Sequence, residues 1–217
     1  MKKDLTELVF VIDMSGSMSG LTDDTIGGFN SVLSQHQKGE GDVLVTTFLF
    51  NNDSKMIHDR TPIKEIKPMT EDDYRACGCT ALLDTLGSAI KHIANIHRYA
   101  REEDVPEHTI FIITTDGMEN ASHKFSADEV KGMVKHEQEK YGWEFIYLAS
   151  NIDAVENAAR IGIDRSRAVD YCPDKLGTQA AYESISNVVE TVRCSLNPSS
   201  AEWRRNTDRD FKERKKK

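Results

Sequence analysis

Residues 8–18 read Leu8-Val9-Phe10-Val11-Ile12-Asp13-Met14-Ser15-Gly16-Ser17-Met18. The first five are apolar without interruption, as in a β-strand buried on both faces. The run ends on the carboxylate of Asp13 and passes into a polar loop with hydroxyls at Ser15 and Ser17. Alternate residues of an extended chain can face one point, and Gly16 lets the loop turn sharply. A carboxylate and two hydroxyls are hard oxygen donors. A Mg²⁺-type ion takes about six of these at ~2.0–2.1 Å in octahedral array, so the loop supplies half a site. The stretch is not a phosphate-binding loop, because G-x₄-G-K-[ST] is missing. It is not a G-x-S-x-G nucleophile elbow. It is not an EF-hand loop either, since the later acidic positions are absent.

Outward from this stretch, helices and strands alternate. Leu21–Gln37 has apolar residues at helical spacing. Asp42–Phe50 reads as strand, with Lys55–His58 as a short partner. Residues 59–79 read as irregular. Ala81–Arg98 is a strongly amphipathic helix, Thr109–Thr115 a strand, and Ser126–Tyr141 a helix opened by the capping box of Ser126 and Glu129. Trp143–Ala149 is a strand, Asp153–Ile161 a short helix ending at Gly162, Ala168–Tyr171 a last short strand and Gly177–Ser195 a helix. The five prolines (62, 68, 106, 173 and 198) are expected between elements. This alternation predicts an α/β fold: a Rossmann-like, doubly wound, mostly parallel sheet with helices on both faces.

Such a sheet binds ligands at the carboxyl ends of its strands. Asp13 ends one strand, and Asp116 ends another in the run Ile112-Ile113-Thr114-Thr115-Asp116-Gly117. Thr80 stands before the amphipathic helix. Asp13, Ser15, Ser17, Thr80 and Asp116 are therefore the candidate metal-binding residues.

In this order, D-x-S-x-S then Thr then Asp, the five resemble the metal-ion-dependent adhesion site of the von Willebrand factor type A family. The resemblance covers roughly residues 5–195 and gives a domain over 1–196, followed by a basic extension over 197–217. Val11–Met18 and Gly78–Leu83 look most like a bacterial and phage cytosolic branch. The resemblance implies direct ligation by Ser15, Ser17 and Thr80, with Asp13 and Asp116 ligating directly or through water. It also implies a sixth position taken by water or by a Glu or Asp of a partner protein. The expected cofactor is Mg²⁺, with Mn²⁺ or Ca²⁺ also suited to these donors. Asp23 and Asp24 are acidic, but their register differs from the family's second metal site, and none is predicted there.

The formal charge of −8 is unevenly spread: residues 204–217 carry +5, which leaves −13 on residues 1–203. The acidic body repels a phosphate backbone, so nucleic acid is expected only through the basic tail, and the tail is expected as a solvated helical extension or a disordered end. The start MKKDLTELVFVID holds only five consecutive apolar residues, Leu8–Ile12, short of a leader's ~7–15. No stretch approaches the ~18 apolar residues of a membrane span. A cytoplasmic location is expected, with Cys77, Cys79, Cys172 and Cys194 as free thiols. Cys77-Gly78-Cys79 lacks the usual zinc spacing.

Three functions are open at this point. The first, expected above the others, is a non-enzymatic, cation-dependent protein-binding module. The second is a metal-dependent phosphoester hydrolase, though no nucleophile, general base or phosphate-cradling loop accompanies the site. The third is nucleic-acid association through the tail. Met14 and Met18 could form an apolar rim or pack under the neighbouring loops. Glu119, Asn120 and His123 read as solvated loop residues.

Overall fold

The computed structural model describes residues 1–39, 41–194 and 202–215. Its strands are β1 (Lys2–Asp13), β2 (Asp42–Phe50), β3 (Ser54–Pro62), β4 (Pro106–Thr115), β5 (Glu144–Ala149) and β6 (Ala168–Asp170). Its α-helices are α1 (Thr22–His36), α2 (Leu82–Tyr99), α3 (Ala127–Tyr141), α4 (Ala154–Arg160), α5 (Lys175–Arg193) and α6 (Arg205–Arg214). The strands form one sheet in the order β3-β2-β1-β4-β5-β6, with β2–β3 antiparallel and the other pairs parallel. The α/β expectation holds.

The period of two in β1 explains why both faces are covered. Leu8, Phe10 and Ile12 join the core beneath α1 and α5, while Val9 and Val11 join the core beneath α2 and α3. All five are fully buried. Burying one such side chain is worth roughly 1.5–3 kcal/mol, so the strand that carries Asp13 is among the firmest supports in the molecule.

β1 begins six residues earlier than its apolar run suggests, at Lys2 rather than Leu8. Thr6 and Glu7 interrupt the pattern, yet both are buried. Glu7 keeps its place through Arg60 Nε at 2.9 Å and His97 Nε2 at 2.6 Å. Arg60 has φ +45°, and the pairing of β2 with β3 slips between Val45 and Thr47 beside it. This bulge lies within residues expected to be irregular: β3 in fact continues through Asp59–Pro62. The expectation that prolines avoid all elements is also corrected. Pro62 ends the edge strand β3 and Pro106 opens β4, positions where a missing N–H costs little.

The capping box at Ser126 and Glu129 forms as expected. The basic tail is not simply solvated. Its helix α6 packs on α5 and β6, with Trp203 and Thr207 buried. The Thr207 hydroxyl donates to the Ala180 carbonyl at 2.8 Å, and Arg204 donates to the carbonyls of Arg165 and Ala168, which covers the β6 edge. Arg214 pairs with Asp174 and Asp210. The composition break at Asn197-Pro198-Ser199-Ser200, and Lys216 and Lys217, lie outside the described residues. Among the described residues no helix is long and apolar enough to cross a membrane.

Candidate metal centre

The sheet order places β2 on one side of β1 and β4 on the other, so the crevice between the carboxyl ends of β1 and β4 is the topological switch point. Ile12 is in register with Thr114, which sets Asp13 level with Thr115. Asp13 is fully buried. Its Oδ1 accepts from the Ser15 backbone N–H at 2.7 Å, and its Oδ2 accepts from the Thr115 hydroxyl at 2.6 Å. These two bonds fix the carboxylate and curl the loop back over it. The Tyr74 hydroxyl donates to the Asp13 carbonyl at 2.6 Å and anchors the same residue from below.

Ser15 precedes a 3₁₀ turn over Gly16–Leu21 that leads into α1, and its hydroxyl makes no capping bond. That hydroxyl lies 3.1 Å from the Ser17 hydroxyl. Ser17 in turn donates to Asp116 Oδ1 at 2.5 Å. Thr80 reaches the same place from the other side. Its N–H donates to Asn120 Oδ1 at 2.9 Å, and its carbonyl accepts from the N–H groups of Asn120 and Ala121. Gly117 lies between the two sides: a Cβ there would stand 3.4 Å from Thr80 Oγ1 and 3.5 Å from Ser17 Oγ. All five expected residues therefore meet at one edge.

The loop before Thr80 is held to the Ser15 loop by backbone bonds. Gly16 N–H donates to the Gly78 carbonyl and Cys77 N–H to the Met14 carbonyl, both at 2.9 Å. Gly78 has φ +80°, and a Cβ there would fall 2.2 Å from Asn52 Oδ1, so only glycine fits.

The donor chemistry fits a small divalent cation. Neighbouring ligands of an octahedral ion at ~2.0–2.1 Å stand about 2.9–3.0 Å apart, and Ser15 Oγ and Ser17 Oγ are separated by 3.1 Å. Burial pushes the Asp13 carboxyl above its ordinary range, against the hydrogen bonds from Thr115 and Ser15. Burial also raises Asp116, opposed by the bond from Ser17 and reinforced by the charge of Asp13. No described Lys, Arg or His forms an ion pair with either carboxylate. The pair thus has negative charge in a poorly solvated place and no protein cation to balance it. Among the described residues no group of three His, Cys, Asp or Glu side chains could hold a metal. Ligation here would rest on hydroxyls as much as on carboxylates.

Several supporting residues were not expected. Thr115 and Tyr74 position Asp13. Asn120 is exposed and Glu119 half-buried, yet both hold the loop: Asn120 clamps Thr80, and Glu119 accepts from the N–H groups of Leu83, Ala121 and Ser122. Asp84 accepts from the N–H groups of His123, Lys124 and Phe125. Met18 is buried in the core and Met14 packs against it, so neither forms a rim. The exposed apolar residue beside the site is Met118, at 58%.

Solved structures with the same architecture include the vWF domain of the type V pili tip protein Mfa5 from Porphyromonas gingivalis. The match has TM-score 0.60 and 11% identity and covers 88% of this chain and 96% of that one. A von Willebrand factor type A protein from Catenulispora acidiphila aligns at TM-score 0.52 and 11% identity, over 85% of this chain and 42% of that one. This is a von Willebrand factor type A fold. The PilB minor pilin from Streptococcus sanguinis also aligns, at TM-score 0.60 and 10% identity over 88% of this chain. The chain spans 62% of that pilin's length. No family sequence model and no curated protein sequence matches the chain. At these identities the likeness is one of fold. Within that type A fold, the β1–β4 edge carries the hydroxyl and carboxylate cluster described above.

Proposed function

We propose that this chain is a protein-binding module whose β1–β4 edge holds a Mg²⁺-type ion, Mn²⁺ and Ca²⁺ being chemically suited alternatives. The observation that carries the reading is the convergence of Ser15, Ser17 and Asp116, linked at 3.1 and 2.5 Å, beside Thr80. When bound, the ion would supply an electropositive position open to a carboxylate of a partner protein.

The chain's own residues prepare that position. Ser15, Ser17 and Thr80 present neutral oxygens, so the charge of a cation held there is not cancelled by its nearest donors. Asp116 accepts a hydrogen bond from the Ser17 hydroxyl, which leaves that oxygen's lone pairs free of the bond. Asp13 orders the loop from within. Met118 offers a soft apolar contact at the rim. Binding rather than catalysis is the reading because no described histidine hydrogen-bonds to any of the five residues, which leaves the hydroxyls without a histidine base. A pili tip protein and a minor pilin among the structural neighbours support an interaction role. Four free cysteines support a reducing, cytoplasmic setting.

The test is retention of proteins on the immobilised chain with Mg²⁺ or with a chelator, for the wild type and for Thr80→Ala. Retention that needs Mg²⁺ and is lost in the variant is expected. Retention indifferent to chelator and variant would overturn the proposal.

A further inference from the structure

The amino end of the sheet, opposite the metal centre, has a cavity of its own. It opens between the C-terminal ends of α2 and α3 and the start of β4, with a volume of about 650 Å³. Ordinary small-molecule sites fall in the range of roughly 300–1,000 Å³. Its walls include Ala94, His97, Val105, Pro106, Glu137 and Trp143.

Two observations mark it as a built site. Glu137 is only 6% exposed, and its Oε2 is buried without a hydrogen-bond partner. Buried polar atoms in folded proteins are nearly always paired, so an orphaned carboxylate oxygen on a residue that lines the cavity calls for a donor from outside the chain. Burial raises the Glu137 carboxyl, while His136, His97, Lys140 and Arg98 pull it back down. None of these side chains reaches Oε2 with a hydrogen bond.

The second observation is the rigidity of the neighbouring wall. His97 Nε2 is tied to the buried Glu7 at 2.6 Å. Its ring meets Trp143 edge-on, with centroids 5.4 Å apart. Trp143 stacks on Phe111 at 5.4 Å and 17°. The aromatic wall beside Glu137 is thus fixed before any ligand arrives, which lowers the entropy cost of binding.

We infer that this cavity binds a flat aromatic ligand that presents a forked N–H donor, of amidine or amide type, to Glu137. The apolar walls at Ala94, Val105, Pro106 and Trp143 suit the ring. A carboxylate accepts a forked donor through both oxygens. The site lies at the other end of the sheet from Asp13 and Asp116 and does not depend on the metal reading.

The probe is benzamidine, titrated into the full ¹⁵N-labelled chain while the indole N–H signals of Trp143 and Trp203 are followed. The expected result is a saturable shift of Trp143 with Trp203 unmoved, unchanged by Mg²⁺ or chelator. Benzoate, with the same ring but a carboxylate, is expected to give no saturable shift. Glu137→Gln should weaken binding by about tenfold or more, the share of a charge-assisted forked bond. Ala94→Phe fills the cavity and should abolish binding; it decides the matter if Glu137→Gln does not fold. Absence of a saturable shift, equal binding of benzoate, or undiminished binding in either folded variant overturns the inference.

Discussion

The Thr115 hydroxyl donates to Asp13 Oδ2 at 2.6 Å, a bond that crosses from β4 to β1 at the switch point of the sheet. It joins the two strands that bear the two carboxylates of the candidate metal centre. It also settles which way the Asp13 carboxylate faces, because Oδ1 is held by Ser15 N–H.

Thr115→Val keeps the side-chain shape and removes that donor. Asp13 is fully buried, so no water can replace the lost bond. The expected cost is about 1–3 kcal/mol, read as a lower melting temperature in chemical or thermal denaturation. An unchanged melting temperature would show that the bond does not organise the edge.

Trp203 is 3% exposed and belongs to the core beneath α1 and α5, although it lies in the basic C-terminal segment. Trp203→Ala should therefore behave as a core truncation and lower stability by about 3–5 kcal/mol. Denaturant titration followed by far-ultraviolet dichroism checks this. A stability within a few tenths of wild type would mean that α6 is only loosely attached.

The same two segments show why the sequence is readable in parts. β1, α2, the capping box at Ser126 and the five candidate ligands announce themselves through local signals: an unbroken apolar run, helical spacing, a cap and D-x-S-x-S. Thr115, Tyr74 and Asn120 carry no such signal. Their roles come from partners 102, 61 and 40 residues away in the chain, which only the folded sheet brings close. Glu7 reads as a break in a strand because its compensation, Arg60 and His97, is equally remote. The tail reads as solvent-exposed because its charge is conspicuous, while the two side chains that bury it, Trp203 and Thr207, are few.

A pH effect follows from His36, which is 6% exposed on α1. Burial, with the Arg193 charge nearby, lowers its pKa from 6.5 to about 4. In the unfolded chain the ring takes up a proton near pH 6.5, while in the folded chain it resists until about pH 4. The contribution to stability is complete above about pH 6.5 and is lost as the pH falls towards 4, by up to about 3 kcal/mol. Thermal melts at about pH 7 and about pH 4.5 should show a drop for the wild type that is smaller in His36→Leu. Equal slopes in the two proteins would contradict this origin.

The central claim, that Asp13, Ser15, Ser17, Thr80 and Asp116 form one divalent-cation site, is tested most directly by calorimetric titration of Mn²⁺ into the metal-free chain. Asp13→Ala and Ser17→Ala serve as comparisons, the second because Ser17 is exposed and its loss leaves the core intact. One ion bound per chain in the wild type, with binding abolished or greatly weakened in both folded variants, is the expected result. Unchanged Mn²⁺ affinity in the variants would contradict it.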